Sequence, residues 1–300
     1  MSSRVTALRD GVRHLLARRR LLIGINRRNV ELIYPHNPRA HYPLADDKLL
    51  TKEILSAANV PVPRTLAVCT GLADIPRAIG RLDDESSFVV KPASSSGGQG
   101  ILVVTNRVEP GRWRRAGGNE VTAASLQQHL AEIIFGAYSG DRTDRAFVEE
   151  RVVPHQVFGD LWADGLCDLR IITLAAQPIM AMLRIPTTRS AGRANLHQGG
   201  IGLAIDMASG KSFRAWSQGG TLSVHPESGR ELLGLTMPDW PAVLDTAHRA
   251  GAALPLGYLG TDVVVDAHRG PLVLEVNVRP GLEIQNVNGR GLGAVLPENP

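Results

Sequence analysis

Oxygen-bearing side chains lie within two apolar segments near the C-terminus. The segments 261–265 and 272–277 consist largely of valine and leucine, and they contain Asp262, Glu275 and Asn277. Because successive strand residues point to opposite faces, Glu275 and Asn277 share one face. Burial of unpaired carboxylates is unfavourable, and ligation of Mg²⁺ by hard oxygen donors offsets it. We therefore predict that Asp262, Glu275 and Asn277 bind a metal; the alternative is that these polar side chains face water on an edge strand.

A segment rich in serine and glycine, residues 94–100, follows a short apolar strand that ends at Lys91. Glycines let backbone amides approach an anion closely, and Lys91 brings a cation to the same place. A Walker A loop or a dinucleotide fingerprint would continue as a helix, whereas residues 101–104 are strand-like. The pattern indicates a strand–loop–strand flap over phosphates. The alternative is an ordinary hairpin whose lysine extends along the surface to reach solvent.

Hydrophobic periodicity predicts a mixture of helices and strands that would position these residues. Helices are predicted for residues 46–59, 72–82, 122–135 and 240–252. Strands are predicted for residues 65–69, 87–91, 101–105, 146–153, 168–175, 179–185, 202–206, 260–265 and 272–277. Asp46 is the predicted cap of the first helix, and the polar segments beside the third are predicted to be surface loops. This order favours an α+β fold with antiparallel sheets over a regular βαβ alternation.

Length and composition bound the class of protein. With 300 residues, of which 43% are hydrophobic, the chain is long enough for one sizeable core or two small ones. No stretch approaches the roughly 20 apolar residues of a membrane span, and the N-terminus lacks the features of a secretory signal. We therefore expect a soluble, cytoplasmic protein. Cys69 and Cys167 have no CxxC partner or neighbouring histidine, so both are predicted to be buried thiols.

The formal net charge of +4 has much of its excess near the N-terminus. The arginines that precede residue 30 are Arg4, Arg9, Arg13, Arg18, Arg19, Arg20, Arg27 and Arg28. Apolar residues recur among them at helical spacing, so residues 3–20 are predicted to form a basic amphipathic helix. The favoured interpretation is that its apolar stripe packs on the protein; contact with an anionic membrane surface or an acidic partner is the alternative. Because no aromatic residues interleave with the arginines, a nucleic-acid partner is not expected.

Six motifs follow one another along the chain. They are DDKLLTK at 46–52, VVKP at 89–92 with its Ser/Gly loop, VEE at 148–150, DLR at 168–170, RANLHQGG at 193–200 and LEVNVRPGL at 274–282. Their order resembles that of the ATP-grasp ligases, in particular the alpha-L-glutamate ligases that modify ribosomal protein S6 and their uncharacterised homologues with an Asn-x-Arg-Pro-Gly-Leu ending. The resemblance extends over about residues 46–290.

The resemblance implies an ATP-grasp fold, in which two α+β subdomains grip ATP between antiparallel sheets. Residues 46–153 would form the small subdomain with the glycine-rich flap, and residues 154–300 the C-terminal subdomain with the Mg²⁺ site. Residues 1–45 would be a short basic helical segment in place of a larger preceding region.

The resemblance also implies roles for individual residues around the nucleotide. Lys48 and Lys91 would hold the ATP phosphates beneath a loop formed by Ser94, Ser95, Ser96, Gly97 and Gly98. The hinge strand that reads adenine would comprise Glu149, Glu150, Arg151 and Val152, and Asp168 would lie near the ribose. Arg193 and Asn195 would face the γ-phosphate and the metal, and Arg170 and Arg184 the transferred phosphoryl group or the substrate carboxylate. For each arginine the alternative is a surface ion pair, and His197 is predicted to be structural rather than a base.

The activity that the resemblance implies is an ATP-dependent ligase that joins a carboxylate to an amine through an acyl phosphate. One substrate would be an amino acid, such as glutamate, or a peptide. The cofactors would be ATP and Mg²⁺, with two metal ions in the site and Mn²⁺ as a substitute. The alternatives are a phosphotransferase that acts on a hydroxyl group and a nucleotide-binding subunit of a larger assembly.

Two features depart from the family pattern. Only residues 1–45 stand where the related ligases carry a sizeable Rossmann-like domain, so the N-terminal helix, a second subunit in a homodimer or a partner protein would complete the substrate pocket. Arg279 stands where the glutamate ligases have a small residue. A guanidinium at that position suits an additional carboxylate or phosphate on the substrate.

Overall fold

A computed structural model describes residues 21–95 and 97–297. The predicted helix over residues 3–20 and the predicted loop residue Ser96 lie outside this described part. Within it, every helix falls short of the length and apolar character that crossing a bilayer requires.

The helices of the chain are mostly short. They are α1 (Ile25–Arg28), α2 (Tyr34–His36), α3 (Pro43–Asp46), α4 (Lys48–Ala57), α5 (Ile75–Leu82), α6 (Ala123–Ile134), α7 (Gln156–Leu161), α8 (Trp240–Ala253) and α9 (Glu283–Asn288). A π-helical turn, Asn29–Ile33, joins α1 to α2, and 3₁₀ turns occupy Arg39–His41, Leu72–Asp74, Leu196–Gln198 and Leu292–Ala294. The predicted long helices are therefore present, and α7 and α9 are additions that sequence periodicity missed because each has only six residues.

A six-stranded antiparallel sheet, called the first sheet, has the order β1-β6-β2-β3-β4-β5. Its strands are β1 (Thr65–Cys69), β2 (Phe88–Pro92), β3 (Leu102–Glu109), β4 (Arg112–Arg115), β5 (Glu120–Thr122) and β6 (Ala146–Glu150). The core between this sheet and helices α5 and α6 includes Phe88 and Trp113, whose rings meet edge to face with centroids 5.7 Å apart. The glycine-rich loop joins β2 to β3, as predicted.

Strands β4 and β5 correct the prediction of a surface loop before α6. The polar composition of residues 106–121 misled the prediction because these strands are short and carry charged or polar residues on their outer face. Trp113 and Val121, which lie opposite each other, are the buried residues that hold the two strands on the core.

A seven-stranded antiparallel sheet, called the second sheet, has the order β11-β10-β9-β8-β7-β12-β13. Its strands are β7 (Asp168–Leu174), β8 (Gln177–Ile185), β9 (Ile201–Ile205), β10 (Ser212–Ser217), β11 (Gly220–Leu222), β12 (Tyr258–Asp266) and β13 (Gly270–Asn277). Strands β10 and β11 were not predicted. Every residue of β7 and β12 is buried, including the charged residues Asp168, Arg170 and Asp262.

The two faces of the second sheet have different covers. Helix α8 packs on one face against odd-numbered residues such as Leu169 and Ile171. The opposite face is covered by Ile23, Leu32 and Ile33 from the N-terminal segment and by Ile284 and Val287 from α9. These three residues of the N-terminal segment are thus part of the core of the second sheet. The division of the chain at residues 45 and 153 stays a prediction.

The start of α4 corrects the predicted cap. Asp47, in an extended conformation, accepts hydrogen bonds at Oδ1 from the amides of Leu49 and Leu50 at 3.0 and 3.1 Å. Asp46, the predicted cap, instead ends α3. Either aspartate could cap a helix, since the two have the same side chain. Asp47 does so here because Asp46 is still part of α3, which begins at Pro43.

Candidate active site

One face of the second sheet carries the three predicted metal ligands together with Asp168, Arg170 and Arg184. Asp168 lies opposite Arg184 in the β7–β8 pair, and Asp262 lies opposite both Arg170 on β7 and Glu275 on β13. Directly opposed residues of antiparallel strands project from the same face. This is the face that the N-terminal segment and α9 cover farther along the strands, so the charged residues occupy its uncovered end.

Two arginines hold two aspartates in what we call the arginine–aspartate cluster, Asp168, Arg170, Arg184 and Asp262. Arg170 binds both carboxylate oxygens of Asp262, with Nη2 2.8 Å from Oδ2. Arg184 donates from Nη2 to Asp262 Oδ2 at 2.8 Å and from Nε to Asp168 Oδ1 at 2.6 Å. All four side chains are at most about one-sixth exposed. Such bidentate, charge-assisted bonds fix the orientation of the Asp262 carboxylate.

The cluster changes the acidity of its two aspartates in opposite directions. Burial raises the pKa of Asp168 to about 6, and the negative charge of Asp262 adds to this rise while Arg184 opposes it. Burial also disfavours ionised Asp262, but Arg170 and Arg184 outweigh it, so the pKa of Asp262 lies below its ordinary value. Asp262 therefore has the lower pKa of the two, which favours the ionised form that a metal ligand needs.

The three predicted metal ligands come together at the edge of this cluster. Asn277 Nδ2 lies 3.5 Å from Asp262 Oδ2, and Glu275 accepts no hydrogen bond from any residue in the described part of the chain. Both side chains are partly exposed. Within residues 21–95 and 97–297, no group of three or more histidine, cysteine, aspartate or glutamate side chains could hold a metal. The predicted set of two carboxylates and one amide consists of hard oxygen donors, which suit Mg²⁺ or Mn²⁺.

A second buried ionic group lies on the first sheet, and we call it the lysine–glutamate triad. Glu149 on β6 binds Lys91 from β2 through one oxygen and Lys52 from α4 through the other. Lys52 also lies over the Phe147 ring, 5.5 Å from its centroid. Glu149 was predicted to contact the nucleotide directly, but its carboxylate is already bound on both sides. Its two lysines leave the triad with one surplus positive charge.

Lys52 is a functional candidate that the sequence analysis missed. It follows Lys48 by four residues on α4, and that spacing places both lysines on the same side of the helix. This spacing was the available signal. Burial lowers the pKa of Lys52 despite the attraction of Glu149, which identifies an ammonium group held in a site of low polarity.

The glycine-rich loop lies between the two sheets. The Lys48 ammonium donates to the Ser95 carbonyl oxygen, and the Ser94 amide donates to Asp144 at 3.1 Å. At Gly98, a β-carbon would lie 3.6 Å from the side chain of Arg193, so the loop reaches the segment that carries Arg193 and Asn195. At Gly100, with a φ of +71°, a β-carbon would lie 2.7 Å from Pro92 and Tyr138. Only glycine fits there. Asp144 was not predicted.

The hinge strand joins the two sheets through its side chains. Glu150 binds Arg269, which precedes β13, and the Arg64 amide also donates to Glu150. The carbonyl of Val265 accepts a hydrogen bond from the His155 amide at 2.9 Å. The side chain of Glu150 is therefore occupied, and Val152 is buried. Backbone groups of residues 150–152 stay the predicted adenine contacts.

The remaining predicted residues, which are Arg193, Asn195 and Arg279, also lie outside both ionic groups. Arg193 is exposed, and Asn195 Oδ1 accepts from the His197 amide at 3.0 Å, which caps a 3₁₀ turn. The guanidinium of Arg279 lies over the Tyr42 ring, 5.3 Å from its centroid, and 3.7 Å from Asp46. Arg279 is about half exposed. It therefore stands at the rim rather than within the arginine–aspartate cluster.

A small cleft brings the two sheets' candidate residues together. Lys48 and Lys52 from α4 line one side of it, and Glu275 from β13 lines the other. The remaining lining residues are Ala45, Thr51, Leu55, Val273, Leu274 and Val276. Two lysines and a predicted metal ligand thus line the same small cleft.

Comparison with known families identifies the family of this chain. The profile of the family described as "Sugar-transfer associated ATP-grasp" matches residues 27–298, which is most of the chain. The chain belongs to the sugar-transfer associated ATP-grasp family. The ATP-grasp resemblance and the α+β fold with two antiparallel sheets are thereby confirmed.

Curated relatives and solved structures agree with this membership. Ribosomal protein bS6–L-glutamate ligases from Salmonella paratyphi B and Salmonella newport are each 26% identical over 258 residues, which is 85% of this ATP-grasp chain and 64% of theirs. The chain thus spans less than two thirds of their length. Phosphoribosylamine–glycine ligase from Thermotoga maritima aligns over 89% of this chain and 57% of its own, with a TM-score of 0.54 at 12% identity. Biotin carboxylase from Campylobacter jejuni aligns over 85% of this chain and 48% of its own, with a TM-score of 0.50 at 17% identity. These two structures share the fold.

Proposed function

We propose that this ATP-grasp protein is an ATP-dependent ligase that joins a carboxylate to an amine through an acyl phosphate. The observation that carries the proposal is the cleft in which Lys48 and Lys52 face Glu275. The names of the curated relatives, which are ligases of L-glutamate and a ribosomal protein, support the same reaction class.

The proposed reaction has two steps. A substrate carboxylate oxygen attacks the γ-phosphorus of ATP, and ADP leaves. The amine nitrogen then attacks the acyl carbon, the acyl–oxygen bond breaks, inorganic phosphate leaves, and the amine loses one proton to solvent or phosphate. Free carboxylates resist attack by amines because oxide is a poor leaving group, and phosphorylation removes that obstacle. No side chain needs to act as a nucleophile.

The lysine–glutamate triad supplies positive charge for the triphosphate. Its surplus charge, together with Lys48, attracts the phosphates, and Glu149 fixes the position of Lys91. The loop of residues 94–100 would close over the phosphates and exclude water from the acyl phosphate. Arg193, which lies beside Gly98 of this loop, would approach the γ-phosphate.

The arginine–aspartate cluster positions the metal ligands. Asp262, Glu275 and Asn277 would hold Mg²⁺, which when bound neutralises phosphate charge during transfer. Arg170 and Arg184 bind Asp262 through three contacts, so their first task is to orient this ligand. Their remaining N–H groups are available to the transferred phosphoryl group or the substrate carboxylate.

The substrates and partners are further proposals. An amino acid such as glutamate is one candidate, and because the family is described as associated with sugar transfer, sugar acids and amino sugars belong among the compounds to test. A second subunit or a partner protein would complete the pocket. A cytoplasmic location stays a prediction.

The test is to incubate the protein with Mg-ATP and pools of carboxylates and amines, and to measure ADP, phosphate and new masses. ADP, phosphate and an amide product support the ligase. A phosphorylated product without an amide would identify a phosphotransferase, and nucleotide binding without turnover would identify a nucleotide-binding subunit. In the ligase, Glu275→Gln and Asn277→Ala should abolish Mg²⁺-dependent turnover while the fold stays intact, as measured by circular dichroism.

A further inference from the structure

Three consecutive residues that follow Asn277 are each held by the N-terminal segment. The Val278 carbonyl oxygen accepts from Asn37 Nδ2 at 3.2 Å, and the Pro280 carbonyl oxygen accepts from Arg28 Nη1 at 2.9 Å. Between them, Arg279 lies over the Tyr42 ring. We call residues 278–280 the exit turn. More than 230 residues separate the two partners of each contact, so chain proximity does not explain them.

Asn37 joins the ends of strands β12 and β13. It is 1% exposed, and besides Val278 it binds Tyr258 twice, donating to the carbonyl at 2.7 Å and accepting from the amide at 2.9 Å. These bonds extend the β12–β13 ladder beyond its last backbone pair, Gly260 with Asn277. A buried side chain that satisfies three backbone groups is costly to remove.

The exit turn also packs against the active-site face. A β-carbon at Gly260 would lie 2.6 Å from Pro280 and 3.2 Å from the Arg170 side chain. The turn therefore contacts the strand that carries Asp262 and lies close to Arg170. A displacement of the turn would therefore also displace strand β12 and the Arg170 side chain.

Asn277 has few contacts of its own. It is the last residue of β13, it is partly exposed, and its Nδ2 lies 3.5 Å from both Gly260 O and Asp262 Oδ2. Contacts of that length are weak. Its side chain is thus oriented mainly through its backbone, which pairs with Gly260 on β12 and continues into the exit turn.

A separate anchor holds the N-terminal segment on the sheet. Gln285 on α9 accepts from the amides of Ile23 and Leu292 at 2.9 Å and donates to the Ile23 carbonyl at 2.9 Å. Ile23, Leu32 and Ile33 are buried there as well. Because this anchor is independent of the exit turn, the segment stays docked when a single contact to the turn is removed.

We propose that Arg28 and Asn37 are positioning residues, which fix the exit turn and thereby hold Asn277 in place as a metal ligand. The inference rests on the proposed function, since it takes the ligand role of Asn277 from it. Residues 28–42 would then form part of the site through their contacts to the exit turn.

The test uses the full chain and measures ADP affinity by calorimetry, once in EDTA and once over a series of Mg²⁺ concentrations. Arg28→Met and Asn37→Ala should raise, by about tenfold, the Mg²⁺ concentration at which half of the Mg²⁺-dependent change in ADP affinity is reached. The loss of groups that orient metal ligands has an effect of this size. ADP affinity in EDTA should stay within about twofold of the unmodified protein. The matched control is Arg27→Met, since Arg27 is the neighbouring arginine and pairs with Glu31; it should leave both quantities unchanged.

Asn277→Ala separates this inference from the proposed function. If that variant retains the Mg²⁺ dependence of the unmodified protein, the proposed metal site is wrong. If Asn277→Ala loses the Mg²⁺ dependence of ADP affinity while Arg28→Met and Asn37→Ala retain it, the metal site stands and the positioning role is overturned. An equal loss of ADP affinity with and without Mg²⁺ in Arg28→Met would show general destabilisation and would also overturn it. Arg28→Met decides the matter should Asn37→Ala fail to fold.

Discussion

The two buried ionic groups of the site differ in charge and in geometry. The lysine–glutamate triad on the first sheet has two ammonium groups around one carboxylate, and the arginine–aspartate cluster on the second sheet pairs two guanidiniums with two carboxylates. Ammonium groups are compact charges with rotatable donors, whereas guanidiniums bind carboxylates in a fixed planar geometry. The triad therefore suits the attraction of phosphates, and the cluster suits the orientation of a metal ligand.

The surrounding residues strengthen this contrast. The triad lies near Lys48, which adds a further positive charge toward the glycine-rich loop. The cluster lies near Glu275, which adds a negative charge with no hydrogen-bond partner in residues 21–95 and 97–297. Under the proposed function, the first sheet's triad would attract the anion and the second sheet's cluster would orient the ligands of the cation.

The largest effect is expected for Asp262→Asn, because this change leaves two buried arginines without their shared carboxylate. We expect a loss of about 3–5 kcal/mol in the free energy of unfolding, as for other broken buried ion pairs, together with a loss of Mg²⁺-dependent ATP turnover. Urea titration and an ADP-release assay measure the two quantities. Unchanged stability would mean that the arginines find other partners and that the cluster does not depend on Asp262.

A comparable but smaller loss is expected for Glu149→Gln, which leaves Lys52 and Lys91 as like charges in a buried place. We expect about 3 kcal/mol. Removal of one lysine as well, in Lys52→Met with Glu149→Gln, should recover part of this loss, because only one buried charge then lacks a partner. A double-mutant cycle in urea detects the recovery. Strict additivity would contradict the description of the triad as one electrostatic unit.

Nucleotide affinity distinguishes the lysines within the triad. Lys91→Met should weaken ADP binding by about tenfold, equivalent to about 1.4 kcal/mol, because Lys91 adjoins the glycine-rich loop. Lys52→Met should weaken it less, since the Lys52 ammonium lies against Phe147 and Glu149. Fluorescence titration with a labelled nucleotide measures both variants. The reverse order would assign the direct phosphate contact to Lys52.

The smallest expected effect is the pH dependence that Asp168 gives to the ligand-free protein. Because burial first, and then Asp262, raises its pKa to about 6 from an ordinary 3.8, the folded protein binds this proton more tightly than the unfolded chain. The contribution of Asp168 to stability is therefore fully present below about pH 4 and is lost as the pH rises to about 6. Urea titrations between pH 4 and 7 should show this component, and Asp168→Asn should lack it. An unchanged profile in that variant would assign the pH dependence to other groups.

Several parts of the site could be predicted from local sequence pattern. The alternation of Glu275 and Asn277 with apolar residues placed both side chains on the face that carries Asp262, as the strand register shows. Residues 94–100 were recognised as a loop between strands because no helix follows them. Some predictions from local pattern were wrong. Asp46 was predicted as the cap in place of Asp47, and β4 and β5 were not predicted because these short strands carry few buried residues.

Sequence by itself determined the strands other than β4, β5, β10 and β11, the glycine-rich loop and the oxygen donors of β13, because strand alternation and glycine conformations depend on residues within a few positions. Only the tertiary structure decided which charges pair. Arg170 meets Asp262 across 92 residues because the strand order of the second sheet places β7 beside β12. Lys52 meets Glu149 across 97 residues because helix α4 packs where its side chain reaches β6. The same holds for Asn37 and the exit turn. A buried charge or amide takes the partner that the packed strands bring within hydrogen-bond distance, and no local pattern encodes that distance.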